Sequence, residues 1–382
     1  MDQETFRQGM KVIEKYTFLN HASNGPLHDI VRQELHRVVD SQINGNIEVD
    51  WDQIQDGFEV VRKPISNLIN CHIGEVALIS STAYGIALIL ESIDWSISVK
   101  SGIVIDDLEF NSNSYPYQQL AKKYNKKLHV ISSHDGELYL EDYEKILSSQ
   151  DIKLVGISHV QFVNGFRTNL RKLKQLCETY GAYLLVDAIQ SCGGVQVNAK
   201  ETDFLAVGAY KWCLGPFGTG FLYINENLQN NLVPIHVSAI SNSVSTEFRH
   251  KEFKPHKDAR KFQSLFNPNH LGMGKSIELL NSIGPAIIEK KIFNLTDYLI
   301  QLLNEIPQVK IDSNRTEEHK SGIVRIVSNN QQFNLEHIVN EMLARDKVVV
   351  SFRENGIRIS PHFYNNFDEI DKFVKVLKSY LI

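Results

Sequence analysis

The stretch YLLVDAIQ (183–190), followed by DFLAVGAYKWCLGPFGTGFLY (203–223), determines the expected fold. Each part contains a continuous apolar run, which is typical of a strand buried on both faces of a parallel sheet. Asp187 closes the first run and Lys211 follows the second. Because open α/β sheets bind ligands at the carboxyl ends of their parallel strands, we expect Asp187 and Lys211 to reach the same crevice.

Similar apolar runs occur earlier in the chain, and most of the intervals between them have helical periodicity. This alternation predicts an α/β fold with a mostly parallel, doubly wound sheet. The segment GTGFLYI (218–224) follows the preceding run too closely for a helical crossover, so we expect it to enter the sheet in the opposite direction. The earlier runs are VALIS (76–80), GIVIDD (102–107), KLHVIS (127–132) and IKLVGISHV (152–160).

The pattern changes after about residue 260, where one long helical segment (270–304) precedes short strands and two further helices. We therefore predict a large domain over residues 1–255, including an N-terminal helical segment, and a smaller α+β C-terminal domain over residues 256–382. The polar segment near 240–262 is expected to join them.

Composition excludes several classes of protein. The chain has 382 residues, a formal net charge of −5 and 22% charged residues, which provides no general attraction for nucleic acid or anionic lipid. Its four cysteines are too few for a disulfide framework, no HExxH spacing suggests a metal site, and no apolar run approaches the ~20 residues that span a bilayer. We expect a soluble cytoplasmic enzyme without a metal ion.

Lys211 is the strongest candidate for chemistry. Most lysines are solvated, and a loop lysine after a strand fits that interpretation too. Here, however, Lys211 stands among Tyr210, Trp212 and Cys213, where desolvation lowers the pKa of an amine and increases its nucleophilicity. The surroundings favour a functional lysine.

Seven segments in order resemble the class V aminotransferase family of fold-type I pyridoxal-phosphate (PLP) enzymes, the cysteine desulfurase and isopenicillin N epimerase-like group. The resemblance implies a seven-stranded, mostly parallel sheet, PLP as the cofactor, a small-molecule amino acid as the substrate, and a homodimer with active sites at its interface. The segments are FLNHASNGPL (18–27), ISSTAYGIAL (79–88), DDLEFNSNSYPY (106–117), SHVQFVNGFRTNL (158–170), VDAIQ (186–190), AYKWCLGPFGTGFLY (209–223) and GIRISPHFYN (356–365).

The resemblance also implies roles for individual residues at the cofactor ring. Lys211 would form the Schiff base and move the substrate α-proton, and Asp187 would keep the pyridine nitrogen protonated. Gln190 would donate a hydrogen bond to the phenolic oxygen, which Gln161 would also approach. Phe110 takes the place of the histidine that stacks on the ring in desulfurases.

The implied phosphate site lies at a helix N-terminus, where Thr82 and Ala83 follow a strand and free N–H groups suit an anion. Tyr210 would assist there. Several hydroxyl-bearing residues of the relatives are missing, because Gly208 stands three residues before the lysine and 261–269 contains no clear Gly-Thr.

The implied substrate site centres on Arg358, whose guanidinium suits a bidentate contact with the α-carboxylate. The turn around His21 and Ala22 is expected to approach the substrate through its backbone.

The simplest activity implied is transamination through the Lys211 Schiff base. The alternative is a cysteine desulfurase or selenocysteine lyase, whose C–S chemistry needs a thiol on a mobile loop in the C-terminal third. The last cysteine is Cys213, and the corresponding segment VVVSFRENGIRI has Ser351, so that alternative is disfavoured. A non-catalytic scaffold is a third possibility, opposed by the retained Asp187, Gln190, Lys211 and Arg358.

Overall fold

The computed structural model describes residues 1–45, 58–96, 101–243, 252–264, 267–329 and 333–381. Its helices are α1 (Gln3–Gln8), α2 (Asp29–Ile43), α3 (Glu59–Leu68), α4 (Thr82–Ser92), α5 (Asn111–Lys123), α6 (Leu140–Ser149), α7 (Leu170–Tyr180), α8 (Glu226–Gln229), α9 (Asn269–Ile283), α10 (Pro285–Leu303), α11 (Leu335–Glu341) and α12 (Phe367–Tyr380).

Its strands are β1 (Thr17–Phe18), β2 (Val76–Ile79), β3 (Gly102–Asp106), β4 (Leu128–Ile131), β5 (Ile152–Ser158), β6 (Tyr183–Asp187), β7 (Phe204–Gly208), β8 (Gly220–Ile224), β9 (Val309–Ile311), β10 (Val324–Ser328), β11 (Val348–Val349), β12 (Ser351–Arg353) and β13 (Gly356–Ile359).

The central sheet has seven strands in the order β2-β8-β7-β6-β5-β3-β4. The pairs from β7 to β4 are parallel, whereas β8 runs antiparallel to both of its neighbours. This arrangement confirms the mostly parallel α/β sheet and the reversed strand predicted from the sequence. Every residue of β7 and β8 is buried, which explains why these strands are continuously apolar.

The C-terminal strands form a second sheet with the order β12-β13-β10-β9, in which all pairs are antiparallel. The beginning of the chain also reaches this region, because Thr17 and Phe18 pair in parallel with Val348 and Val349. The segment that follows β1 lies beside the end of β13, because Asn20 forms a parallel bridge with Ser360.

The helical segment predicted over 270–304 consists of two helices in the structure. Gly284 adopts φ of 98°, a left-handed conformation that ends α9, and Pro285 begins α10. The domain boundary at 255/256 stays a prediction. Leu271 and Ile277 of α9 share one apolar core with Val61 and Ile65 of α3, so α9 packs with the large sheet's surroundings.

None of the described helices combines the length and the apolar character that a membrane span requires.

Candidate active site

Asp187 and Lys211 lie at the same edge of the central sheet, as the sequence predicts. Asp187 is the last residue of β6, and Lys211 follows the end of the adjacent parallel strand β7. The Asp187 carboxylate is buried and accepts a hydrogen bond from the Ile189 N–H at 2.8 Å. Burial raises the pKa of Asp187 to about 7, while the Ile189 N–H and the Lys211 charge oppose that shift.

The amine of Lys211 lies between two aromatic rings. Its Nζ is 5.9 Å from the centre of the Phe110 ring and 5.8 Å from that of Tyr210. Burial lowers the pKa of Lys211 to about 8, although Asp187 favours the charged form. A larger neutral fraction near neutral pH makes this amine a better nucleophile than an ordinary lysine.

Phe110 immediately precedes α5 and keeps 46% of its surface exposed. Its ring packs edge-on against Phe162, with 5.0 Å between the ring centres. An aromatic face beside Lys211 is therefore available for stacking, in agreement with the role that the resemblance implies.

The side-chain amide of Gln190 forms hydrogen bonds with two other segments of the chain. Its Nε2 donates to the Ala22 carbonyl at 2.9 Å, and its Oε1 accepts from the Trp212 indole N–H at 3.0 Å. The amide is thus fixed in orientation, and Nε2 retains a second proton that can be donated. Sequence analysis named Trp212 only as a neighbour of Lys211 and did not anticipate its hydrogen bond to Gln190.

The side-chain amide of Gln161 forms a hydrogen bond with a carboxylate at the end of β3. Its Nε2 donates to the Asp106 carboxylate at 3.3 Å, and its buried Oε1 has no hydrogen-bond partner among the described residues. The amide N–H is therefore directed towards Asp106, whereas a role at the phenolic oxygen stays a prediction.

Two further buried carboxyl groups were missed by the sequence analysis. Asp106 ends β3, and Glu109 accepts hydrogen bonds from the backbone N–H and the hydroxyl of Ser158. Burial raises the pKa of both groups, and the charge of Glu109 contributes to the raised pKa of Asp106 and of Asp187. A signal was present in the DDLE sequence, since two acidic residues directly follow a strand of the predicted sheet.

The predicted phosphate site lies where α4 begins. Ser81 caps this helix by accepting from the Tyr84 N–H at 3.3 Å, and Thr82 and Ala83 form its first turn. The first N–H groups of a helix have no intrahelical acceptor and suit an anion. A Cβ at Gly208 would lie 3.2 Å from Thr82 Oγ1 and 3.4 Å from the Tyr210 ring, so glycine keeps this space open.

Arg358 projects from β13 and is buried, with 2% of its surface exposed. Its guanidinium donates to the Phe162 carbonyl at 2.6 Å and to the Ser23 hydroxyl at 2.8 Å. Among the described residues no carboxylate forms an ion pair with it, and its Nε lacks a partner. Burial lowers the pKa of Arg358 to about 9, with a further contribution from Arg353. A buried cation of this kind is suited to an incoming carboxylate.

The side chain of His21 is wholly buried and faces the protein interior. Its Nδ1 bonds to the Ser360 carbonyl at 2.9 Å, and its Nε2 bonds to the Tyr364 hydroxyl at 2.7 Å. Ala22 N donates to the Ser360 hydroxyl at 3.0 Å. The His21 side chain is therefore engaged within the protein, and the approach of this turn's backbone to the substrate stays a prediction.

These residues fit the cofactor that the resemblance implies. The site offers a half-buried amine of lowered pKa, a buried carboxylate, an exposed aromatic face and a helix N-terminus with space beside it. Lys211 would hold PLP covalently, Asp187 would bind its ring nitrogen, and Thr82 and Ala83 would bind its phosphate.

Comparisons with known proteins agree with this geometry. The model of the family described as aminotransferase class V matches residues 18–373. A probable cysteine desulfurase of Pyrococcus abyssi is 28% identical over 84% of this chain and 82% of that protein. The uncharacterized aminotransferase YcbU of Bacillus subtilis is 25% identical over 96% of this chain and 95% of that protein.

Solved structures share the fold. The cystine C–S lyase C-DES in complex with cysteine persulfide has a TM-score of 0.86 at 20% identity, covering 97% of this chain and 99% of that chain. The apo cysteine desulfurase of Thermococcus onnurineus NA1 has a TM-score of 0.85 at 22% identity, covering 98% and 97%. Because the family model spans nearly the whole chain, this protein is a PLP-dependent enzyme that belongs to the class V aminotransferase family.

Proposed function

We propose that the protein is a C–S lyase, which cleaves the Cβ–S bond of a sulfur-containing amino acid by β-elimination and uses no persulfide-forming cysteine. The names of the relatives favour C–S cleavage over the transamination expected from the sequence. The position of the cysteines favours elimination over persulfide transfer, and this observation carries the proposal.

The thiols of the chain are unsuited to accept sulfur from a substrate. Cys213, two residues from Lys211, is 1% exposed and its Sγ donates to the Cys192 carbonyl at 3.2 Å. Burial raises the pKa of Cys71 and of Cys177 to about 12, so their nucleophilic thiolate forms are scarce near neutral pH. The chain has no cysteine after Cys213.

The side chains of the site can perform an elimination without a thiol. Bound PLP supplies an electron sink for the bond at the α-carbon. Arg358 binds the α-carboxylate, Lys211 removes the α-proton, and Asp187 holds the proton on the ring nitrogen. The Cβ–S bond then breaks, and the sulfur leaves with its electron pair. With L-cystine and one water, the products are cysteine persulfide, pyruvate and ammonia.

The test is a product analysis with the PLP-loaded enzyme. L-Cystine is expected to yield pyruvate and cysteine persulfide in equal amounts without added 2-oxo acid. Lys211→Ala should abolish both, whereas Lys200→Ala, at the exposed Lys200, should not. Formation of alanine and a protein persulfide from L-cysteine would contradict the proposal, since that pattern indicates desulfurase chemistry.

Transamination is the second candidate, because the YcbU relative spans almost the whole chain. It predicts loss of the cofactor's visible absorbance with an amino donor and recovery on addition of a 2-oxo acid, with no release of sulfur. The homodimer implied by the resemblance is likewise a proposal, and the mass of the purified protein in solution tests it.

A further inference from the structure

The indole of Trp212 fits a slot that two distant glycines keep open. Trp212 is 1% exposed and is the largest of the fully buried side chains. A Cβ at Gly194 would lie 2.5 Å from its Cε3, and a Cβ at Gly322 would lie 2.6 Å from its Cη2. Real Cβ atoms do not approach so closely, so any side chain at either glycine would displace the ring. The plane of the indole is therefore fixed by segments from two parts of the chain.

The polar edge of this ring is directed at Gln190. An indole N–H can only donate, so the atom 3.0 Å from it must be the amide oxygen of Gln190. With Oε1 held there, Nε2 donates to the Ala22 carbonyl at 2.9 Å. The second proton on Nε2 remains available for another acceptor. In this orientation the free side of the Gln190 amide presents its NH₂ group, which can only donate.

The backbone of Trp212 is fixed as well. His362 Nε2 lies 2.9 Å from the Trp212 carbonyl, and the Phe363 N–H donates to His362 Nδ1 at 2.9 Å. The two contacts require the neutral tautomer with the proton on Nε2. Burial lowers the pKa of His362 to about 4, in agreement with a neutral ring. Trp212 is thus held through both its ring and its carbonyl, directly after Lys211.

We propose that Trp212 is a positioning residue that holds the amide of Gln190 with its NH₂ group towards the phenolic oxygen of the bound PLP ring. Without the indole N–H, the amide can rotate and present its oxygen to another oxygen, which is repulsive. The proposal uses the cofactor and the predicted role of Gln190. It holds equally for C–S cleavage and transamination, so it does not depend on the reaction proposed above.

The experiment measures the pH midpoint of the visible absorbance of the PLP-loaded enzyme before any substrate is added. A donor to the phenolic oxygen stabilises its negative charge and favours the deprotonated form of the bound cofactor. In Trp212→Phe we expect the midpoint to rise by about one pH unit, because that donor is weakened. The same shift is expected in Gln190→Leu.

The matched control is Trp95→Phe. Trp95 is 3% exposed and its indole N–H donates to the Leu90 carbonyl at 2.7 Å, but it lies in a different apolar cluster. This variant loses a buried indole hydrogen bond without touching Gln190, so its absorbance midpoint should equal that of the parent enzyme.

A double variant separates the proposed pathway from a general loosening of the site. In the Gln190→Leu background, Trp212→Phe should cause no further shift, since the group that it positions is gone. A further shift in that background, or an unchanged midpoint in Trp212→Phe alone, overturns the proposal.

If Trp212→Phe fails to fold, the benzothiophene analogue of tryptophan at position 212 keeps the ring shape and removes only the N–H. That enzyme should show the raised midpoint, and an unchanged midpoint overturns the proposal.

Discussion

The hydroxyl oxygen of Thr82 lies 2.8 Å from the backbone nitrogen of Gly208, so the first residue of α4 accepts a hydrogen bond from the last residue of β7. The helix N-terminus of the predicted phosphate site is thereby joined directly to the end of the strand that precedes Lys211. The hydroxyl proton of Thr82 stays available for a ligand oxygen, because a hydroxyl can accept and donate at once.

Thr82→Val should weaken PLP binding by about tenfold, since it removes the hydroxyl donor and leaves the buried Gly208 N–H without its acceptor. Thr82→Ser keeps the oxygen and should bind nearly as well as the parent. Thr202→Val is the control, because Thr202 is also buried and donates to the Ala199 carbonyl at 2.8 Å. Titration of the apoprotein with PLP measures the affinities, and equal affinities for the Thr82 and Thr202 variants would refute this role.

The rate of covalent PLP uptake by the apoprotein should rise with pH and level off above about pH 8. Burial lowers the pKa of Lys211 to about 8, so the reactive neutral amine declines roughly tenfold for each pH unit below that value. Because Asp187 favours the charged amine, Asp187→Asn should move the midpoint to lower pH. Stopped-flow absorbance measures the rates, and a midpoint near 10.5, the ordinary lysine value, would be inconsistent with a desolvated amine.

Arg358→Lys should raise KM for the amino acid substrate by about tenfold or more and change kcat less, because an ammonium cannot reproduce a bidentate contact with a carboxylate. Arg325→Lys is the control at the position directly opposite on β10, where the guanidinium pairs with Asp312 and lies outside the proposed site. Steady-state kinetics measure KM and kcat for the parent and both variants. A similar KM for both variants would place the carboxylate elsewhere.

The contribution of Asp106 to the stability of the folded apoprotein should decrease as pH rises from about 4. Burial raises the pKa of Asp106 well above its ordinary value of 3.8, with a contribution from the charge of Glu109. Between the two pKa values the folded state keeps a proton that the unfolded state releases, so stability falls with pH in that interval. The side chain in Asp106→Asn cannot titrate, so the stability of this variant should decrease less with pH than that of the parent. Urea unfolding midpoints at a series of pH values measure this dependence. Asp107→Asn is the control for the loss of a surface charge.

The sequence predicted the central sheet well because most of its strands, such as β7 and β8, are buried on both faces. Continuous apolar runs such as those of β5 and β6 are typical of strands in a parallel sheet. The carboxyl ends of β6 and β7 place Asp187 and Lys211 at one edge of that sheet. The break between α9 and α10 was missed, although Gly284 followed by Pro285 is the sequence pattern of one helix ending and another beginning.

The support behind the site residues could not be predicted in the same way. Glu109 and Trp212 act through hydrogen bonds to residues far away in sequence, and periodicity gives no information about such contacts. The burial of His21 was likewise invisible, because its partners Ser360 and Tyr364 come from the other end of the chain. Motif positions identify which residues face a ligand, whereas tertiary structure alone shows what holds them there.

The contact between Ser23 and Arg358 joins residues that are 335 positions apart. The pairing of β1 with β11 spans a similar separation, so the N-terminal segment leaves the ribosome long before its partners are synthesised. Contacts between residues so far apart in sequence form late in folding. Closing the long loop between them costs conformational entropy before the contact contributes any stabilisation. The contact that holds Arg358, the proposed carboxylate anchor, therefore forms in the last stage of folding, and a nascent chain stalled before β13 carries Lys211 but has no Arg358.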